Sequence, residues 1–144
     1  MQLTIATPEK KTFEGEVDQV SLPTTTGQIT VLPGHTSLVT QISPGELIAV
    51  QKGKDSHLAV GFGFAEISAK NVSVLTDLAE GAAEISEKEA EEARKRAEEA
   101  LKDKERLSSE EYAAVAAALE KSLARLRVKR HHYPRTTPKA ETSA

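Results

Sequence analysis

The chain has 144 residues, a net charge of −3, 28% charged residues and no cysteine. That length admits one domain or two small ones; the near-balanced charge gives no global pull toward nucleic acid or anionic membrane; and the missing thiols exclude a disulfide framework and thiolate metal sites. Aromatic residues make up only 3%, so a core must be built from Val, Ile, Leu and Ala.

Leu3 and Ile5 alternate with Gln2, Thr4 and Ala6 ahead of Pro8, the pattern of a half-buried strand. No apolar targeting stretch stands in residues 1–30, where Lys10, Lys11, Glu14, Glu16 and Asp18 intervene. Val17, Val20 and Leu22 form a second run ending at Pro23, and the three-residue step from Val17 predicts a bulge. Thr24-Thr25-Thr26-Gly27 supplies turn chemistry, Ile29 and Val31 alternate up to Pro33-Gly34, and Leu38 to Ile42 leads into the turn dipeptide Pro44-Gly45. Leu47 to Val50, Leu58 to Phe64 and Val72 to Leu75 complete the set, with hairpin turns at Lys52-Gly53-Lys54-Asp55 and Lys70-Asn71. Short strands at close spacing, with no helical period between them, predict an all-β unit.

At Glu80 the composition changes. Gly81 is the last glycine, no proline follows until Pro134, and Ala, Glu, Lys, Arg and Leu dominate, all strong helix formers. Ser86-Glu87-Lys88-Glu89 has the form of a capping box, and Ser108-Ser109-Glu110-Glu111 repeats it with Ser108 or Ser109 as the cap. Glu91/Lys95, Glu92/Arg96 and Glu98/Lys102 stand at favourable i,i+4 spacing. The expected facing stripes are Ala90, Ala93, Ala97 and Ala100/Leu101 on the first helix and Tyr112, Val115/Ala116, Leu119, Leu123 and Leu126 on the second. An alanine seam buries little area, so the hairpin is expected to dock weakly and to hinge at Lys104–Ser109. No window reaches the roughly 20 apolar residues of a bilayer span. The predicted fold class is α+β: an N-terminal antiparallel β-sandwich over residues 1–84, an antiparallel two-helix hairpin over 85–130, and a flexible basic and polar tail over 131–144.

The residue patterns point to no catalytic site. Gly61-Phe62-Gly63-Phe64 lacks the third glycine and following helix of a nucleotide loop, so structural glycines in a crowded strand are the better account. His35 in Pro33-Gly34-His35 has no nucleophile pattern near it. His131-His132 has no third ligand at metal-binding spacing. Asp18, Glu46, Asp55, Glu66 and Asp77 are scattered carboxylates without a spacing for acid/base work. The basic run Arg125 to Arg130 fits either a solvated helix end or a contact with an acidic partner.

The segment from Gly27-Gln28-Ile29-Thr30-Val31-Leu32-Pro33-Gly34-His35 through Thr40, with Pro44-Gly45-Glu46-Leu47, resembles the epsilon subunit of bacterial and chloroplast F-type ATP synthases. Gly61 to Ile67, Asn71 to Glu80, Ala93 to Glu98 and Leu123 to Val128 resemble the same family, so the likeness runs in order from Leu3 to about Val128. It implies a non-catalytic rotor subunit. The sandwich would sit at the foot of the central stalk against the gamma subunit and the c-subunit ring, with Gln28, Pro33, Gly34 and His35 touching the ring. The hairpin would be regulatory, permissive when compact and inhibiting ATP hydrolysis when extended, with Arg125, Arg127, Lys129 and Arg130 meeting an acidic segment of the alpha/beta catalytic subunits. The resemblance also implies a peripheral location on the cytoplasmic face of the bacterial plasma membrane, or the stromal face of the thylakoid.

One departure concerns nucleotide. Some relatives bind ATP in the folded hairpin through Ile/Leu-Asp-x-x-Arg-Ala. Here the matching stretch is Ile85-Ser86-Glu87-Lys88-Glu89-Ala90. Glu89 sets a negative charge where arginine would meet phosphate, so weak or no ATP binding is expected, with Arg94 and Arg125 as the remaining candidate contacts. No other cofactor is expected. Taken without the resemblance, the residues also admit a free-standing sandwich adaptor whose hairpin binds an unrelated acidic partner, or chemistry centred on His35.

Overall fold

The computed structural model describes residues 1–132; the rest of the expected tail, 133–144, lies outside the described residues. Ten strands build the first part: β1 (Gln2–Ala6), β2 (Lys11–Glu16), β3 (Gln19–Thr24), β4 (Gly27–Val31), β5 (Leu38–Ile42), β6 (Gly45–Gln51), β7 (Lys54–Val60), β8 (Gly63–Ile67), β9 (Asn71–Thr76) and β10 (Ala79–Gly81). They hydrogen-bond in the order β10-β7-β6-β3-β5-β8-β9-β1-β2, with β4 on the other side of β3. The path doubles over at β3 and β5, which share only the pair Thr24↔Ile42. The sandwich therefore has one layer of β2, β1, β9, β8 and β5 and a second of β4, β3, β6, β7 and β10.

Most pairs are antiparallel, but β1 lies parallel to β9, from Gln2↔Asn71 to Ala6↔Leu75. The core between the layers is aliphatic, as the composition requires: Leu3, Ile5, Val20, Leu22, Ile42, Leu47, Val60 and Val74 are all fully buried. Local turns follow their residues. The β6–β7 hairpin turns on Lys52 (φ 50°) and Gly53 (φ 79°), and the two positive φ values are those of a type I′ turn.

Several boundaries differ from the sequence-based expectation. β2 is an additional strand, and its Lys-Thr-Phe-Glu-Gly-Glu sequence hides it because it is a charged sheet edge; β10 is a second addition, three residues long. Val17 lies between β2 and β3, buried, with its N–H donated to the Met1 carbonyl; the register shift falls instead between Ile5 and Ala6. The run Leu58 to Phe64 is two strands, because Gly61-Phe62 breaks it.

After a short 3-10 turn at Ala82–Glu84, α1 (Glu87–Lys102) and α2 (Ser109–His132) form the hairpin. Ser86 Oγ caps α1 by accepting from the Glu89 N–H at 3.2 Å. Ser108 is the cap of α2: its Oγ accepts from the Glu111 N–H, and the Glu111 carboxylate accepts from the Ser108 N–H. Between them, Lys104–Arg106 makes one 3-10 turn.

Candidate functional site

α2 is buried on two sides. Val128 and Leu126 are both buried, yet at about 100° per residue their side chains point roughly 160° apart around the helix. One side of α2 rests on the sandwich and the other on α1. Tyr112 (42% exposed) and Leu123 (40%) consequently face solvent, contrary to the expected stripe, whereas Leu126 is buried as expected and Ser122, outside the stripe, is buried with it. On α1, Ala90 and Ala97 are buried as expected.

The side facing the sandwich carries cations at four-residue intervals, which sets them in one row. Lys121 Nζ reaches Asp77 Oδ2 at 3.1 Å, Arg125 Nε donates to Glu80 Oε1 at 2.6 Å, and Lys129 Nζ donates to the Ala82 carbonyl at 3.1 Å. Asp77 is positioned for this by its other oxygen, which accepts from the Phe62 N–H at 3.0 Å. Beneath the row, Val128 packs on Ala59 and Ile85 in a small apolar cluster. The contact between hairpin and sandwich is thus a ladder of ionic and hydrogen-bonded rungs over a few aliphatic carbons.

The side facing α1 ends in Arg130, which bonds Glu87 at 2.8 Å and Glu91 at 2.6 Å. Arg94 also binds Glu91, and reaches Glu98 at 2.7 Å. Hydrogen bonding from Arg94 first, and from Arg130, holds the Glu91 carboxyl below its ordinary value. Hydrogen bonds to Glu91 and then Glu98 push the Arg94 guanidinium upward, and bonds to Glu87 and then Glu91 do the same for Arg130. These pairs, with Glu99–Lys102, are the ones α1 forms in place of the three i,i+4 pairs expected from spacing.

The expected ring-contact residues are not one loop. Gln28 is in β4, opposite Pro23, and shares a cleft of about 280 Å³ with Arg127, Gly45 and Glu46. Leu32–His35 lies beyond the opposite end of the same strand, roughly 15 Å away along the chain. There Pro33-Gly34 forms a β-turn closed by the His35 N–H to the Leu32 carbonyl, with Gly34 at φ 86°. Of the four expected inhibitory contacts, Arg125, Lys129 and Arg130 are engaged within the chain, and Arg127 is exposed. The two expected nucleotide contacts, Arg94 and Arg125, each face a carboxylate.

A surface that periodicity did not single out is the outer face of the first layer. Phe64 and Leu75 are directly paired across β8 and β9; with Val39 on β5 they are 59%, 61% and 66% exposed. The signal in the sequence was faint: in Leu38-Val39, Phe64-Ala65 and Val74-Leu75, adjacent apolar residues occupy both phases of the alternation.

Residues 1–82 match the family model of the ATP synthase delta/epsilon chain β-sandwich domain, and residues 83–130 that of its long α-helix domain. The chain is 40% identical over 128 residues to the ATP synthase epsilon chain of Herpetosiphon aurantiacus, covering 89% of this chain and 93% of that one. The chain belongs to the ATP synthase epsilon family. It is also 38% identical over 130 residues to the epsilon chain of Geobacter sulfurreducens, covering 89% and 92% of the two. Its fold resembles a chain in the OSCP/F1/c-ring structure of Euglena gracilis mitochondrial ATP synthase, with a TM-score of 0.72 at 24% identity, covering 85% of this chain and 76% of that one. In family terms, the cation ladder joins the sandwich domain to the long-helix domain.

Proposed function

We propose that this epsilon-family chain is a non-catalytic rotor subunit that couples proton-driven rotation to ATP synthesis and restrains ATP hydrolysis through its hairpin. Residues 1–84 would be the docking body, bound to the gamma subunit through the bare Val39/Phe64/Leu75 face and to the c-ring through the Pro33-Gly34-His35 turn. Residues 85–130 would be the movable arm, and the whole would sit peripherally on the cytoplasmic or stromal side of the membrane.

The observation that supports the regulatory part is the polar character of the hairpin's attachment. Arg125, Lys129 and Arg130 bond to oxygen within the chain when the arm is compact. An acidic segment on the alpha/beta catalytic subunits offers the same chemistry when the arm is extended, so each lost contact is replaced in kind. Partly exposed ion pairs contribute little individually, about 0–1 kcal/mol, and the apolar cluster below them is small. Such a seam opens without exposing the sandwich core. Because Arg94 and Arg125 already face carboxylates and Glu89 repels phosphate, the compact arm would bind ATP weakly or not at all.

The test is ATP hydrolysis by the reconstituted catalytic head, with the full chain and with a version stopped after Ala83. Higher hydrolysis after truncation, with the sandwich still bound to the stalk, is the expected result. Unchanged hydrolysis with binding intact would overturn the inhibitory role.

A further inference from the structure

The last turn of α2 carries His131 onto the outer face of β6 and β7. Glu46 and His57 project from that face, on strands paired as Glu46↔Ala59 and Ile48↔His57, so the two are diagonal neighbours. His57 Nδ1 lies 2.7 Å from Glu46 Oε2, and His131 Nδ1 lies 3.5 Å from the same oxygen. One donor atom from each of the three residues falls within 4.8 Å of the others. Sequence spacing offered His131 no third ligand; folding supplies two, the farther of them 85 positions away.

We propose that Glu46, His57 and His131 form a site for a divalent transition-metal ion of the zinc class, bridging the sandwich and the hairpin. Two imidazoles and a carboxylate are the donor set such ions take, with water completing a tetrahedron. The surroundings suit it. Glu46 and His57 are mostly buried (side chains 16% and 11% exposed), which fixes their positions, whereas the His131 side chain is 62% exposed. Asp55 Oδ2 stands 3.8 Å from His57 Nε2, where a carboxylate can orient the ring so that Nδ1 faces the ion. The rings of His57 and His131 are edge to face with centroids 6.0 Å apart.

Two ligands belong to the body and one to the arm. A bound ion therefore favours the compact hairpin over any form that withdraws His131, by the ratio of its affinities for the two forms. This consequence, though not the site itself, rests on the movable arm proposed above.

The experiment titrates Zn²⁺ alone into the metal-free full chain by calorimetry, repeats it with Co²⁺ to read tetrahedral coordination from the visible spectrum, and follows backbone amide exchange in α2. We expect one Zn²⁺ per chain, affinity at least tenfold weaker in His131→Ala and in Glu46→Gln, and α2 exchange slowed at least tenfold by the metal. No binding overturns the site. Binding unchanged by Glu46→Gln and His57→Ala would assign the ion to the helix end alone and overturn the bridge, as would binding that leaves α2 exchange unaltered. None of these outcomes bears on the truncation test of hydrolysis, so the two proposals fail separately.

Discussion

Arg125 on α2 and Glu80 on β10 meet at 2.6 Å, each 31% exposed, across 45 residues of chain. The pair is the central rung between Lys121–Asp77 and Lys129–Ala82, so it reports on whether the hairpin is docked. Replacing Arg125 by Ala, or Glu80 by Gln, is expected to raise amide exchange through α2 while the sandwich strands stay protected. The coupling energy from the double-mutant cycle should be about 1 kcal/mol or less, given the exposure. Exchange in α2 equal to wild type in both variants would show that this rung does not hold the arm.

Two neighbouring glycines should respond differently to alanine. A Cβ on Gly63 would lie 1.8 Å from the Leu75 carbonyl oxygen and 2.7 Å from the Thr76 Cα, both backbone. Gly63→Ala should cost more than about 3 kcal/mol, beyond ordinary overpacking, and lower the midpoint of global unfolding. A Cβ on Gly61 would instead meet Asp77 Oδ1 at 2.1 Å, Leu78 Cβ at 3.0 Å and the Lys121 side chain at 3.1 Å, the severe clash being with the end of a side chain and not with backbone. Side chains can yield, so Gly61→Ala should break the Asp77 rung and loosen α2 with a smaller effect on the sandwich. Equal losses of global stability would contradict this division.

Acid should weaken the hairpin through Glu91. Its folded-state pKa lies below the ordinary 4.5 because Arg94, and then Arg130, bond to the carboxylate. A depressed folded value means a stabilising contribution present above the unfolded value and lost as pH falls through the folded one. The raised values of Arg94 and Arg130 act in the opposite direction, their contribution being lost only far above neutral pH. Helix content and α2 protection should therefore fall as pH drops below about 4.5, with a smaller drop in Glu91→Gln. An identical acid profile in that variant would remove Glu91 from the account.

Phe64 and Leu75 are paired on the bare sheet face. Because they are more than half exposed, Phe64→Ser should leave thermal stability nearly unchanged, within the roughly ±0.5 kcal/mol typical of surface sites. The proposed binding to the gamma subunit should weaken at least tenfold, since exposed aromatics in contiguous apolar patches are strong contributors to interfaces. Full binding by Phe64→Ser and Leu75→Ser together would place the stalk contact elsewhere.

The halves of the chain differed in how much they disclosed. Alternation at Leu3/Ile5, Ile29/Val31 and Val72/Val74, and the serine caps at Ser86 and Ser108, are local signals: each depends on residues within one or two turns of backbone, so the sandwich and both helices were legible in the sequence. The edge strand β2 was not, since a sheet edge is kept polar and has no core-facing period to read. Nor were the faces of α2, because a helix buried on two sides loses the single apolar stripe that marks one. The opposed ends of β4, which separate Gln28 from His35, are a matter of strand direction rather than residue type. Only the tertiary structure decided which polar groups meet. Lys121, Arg125, Lys129 and His131 find Asp77, Glu80, Ala82 and Glu46 across intervals of 44 to 85 residues. A polar contact needs atoms a few ångströms apart, and at such separations that distance is set by how the layers stack, about which a local pattern carries no information.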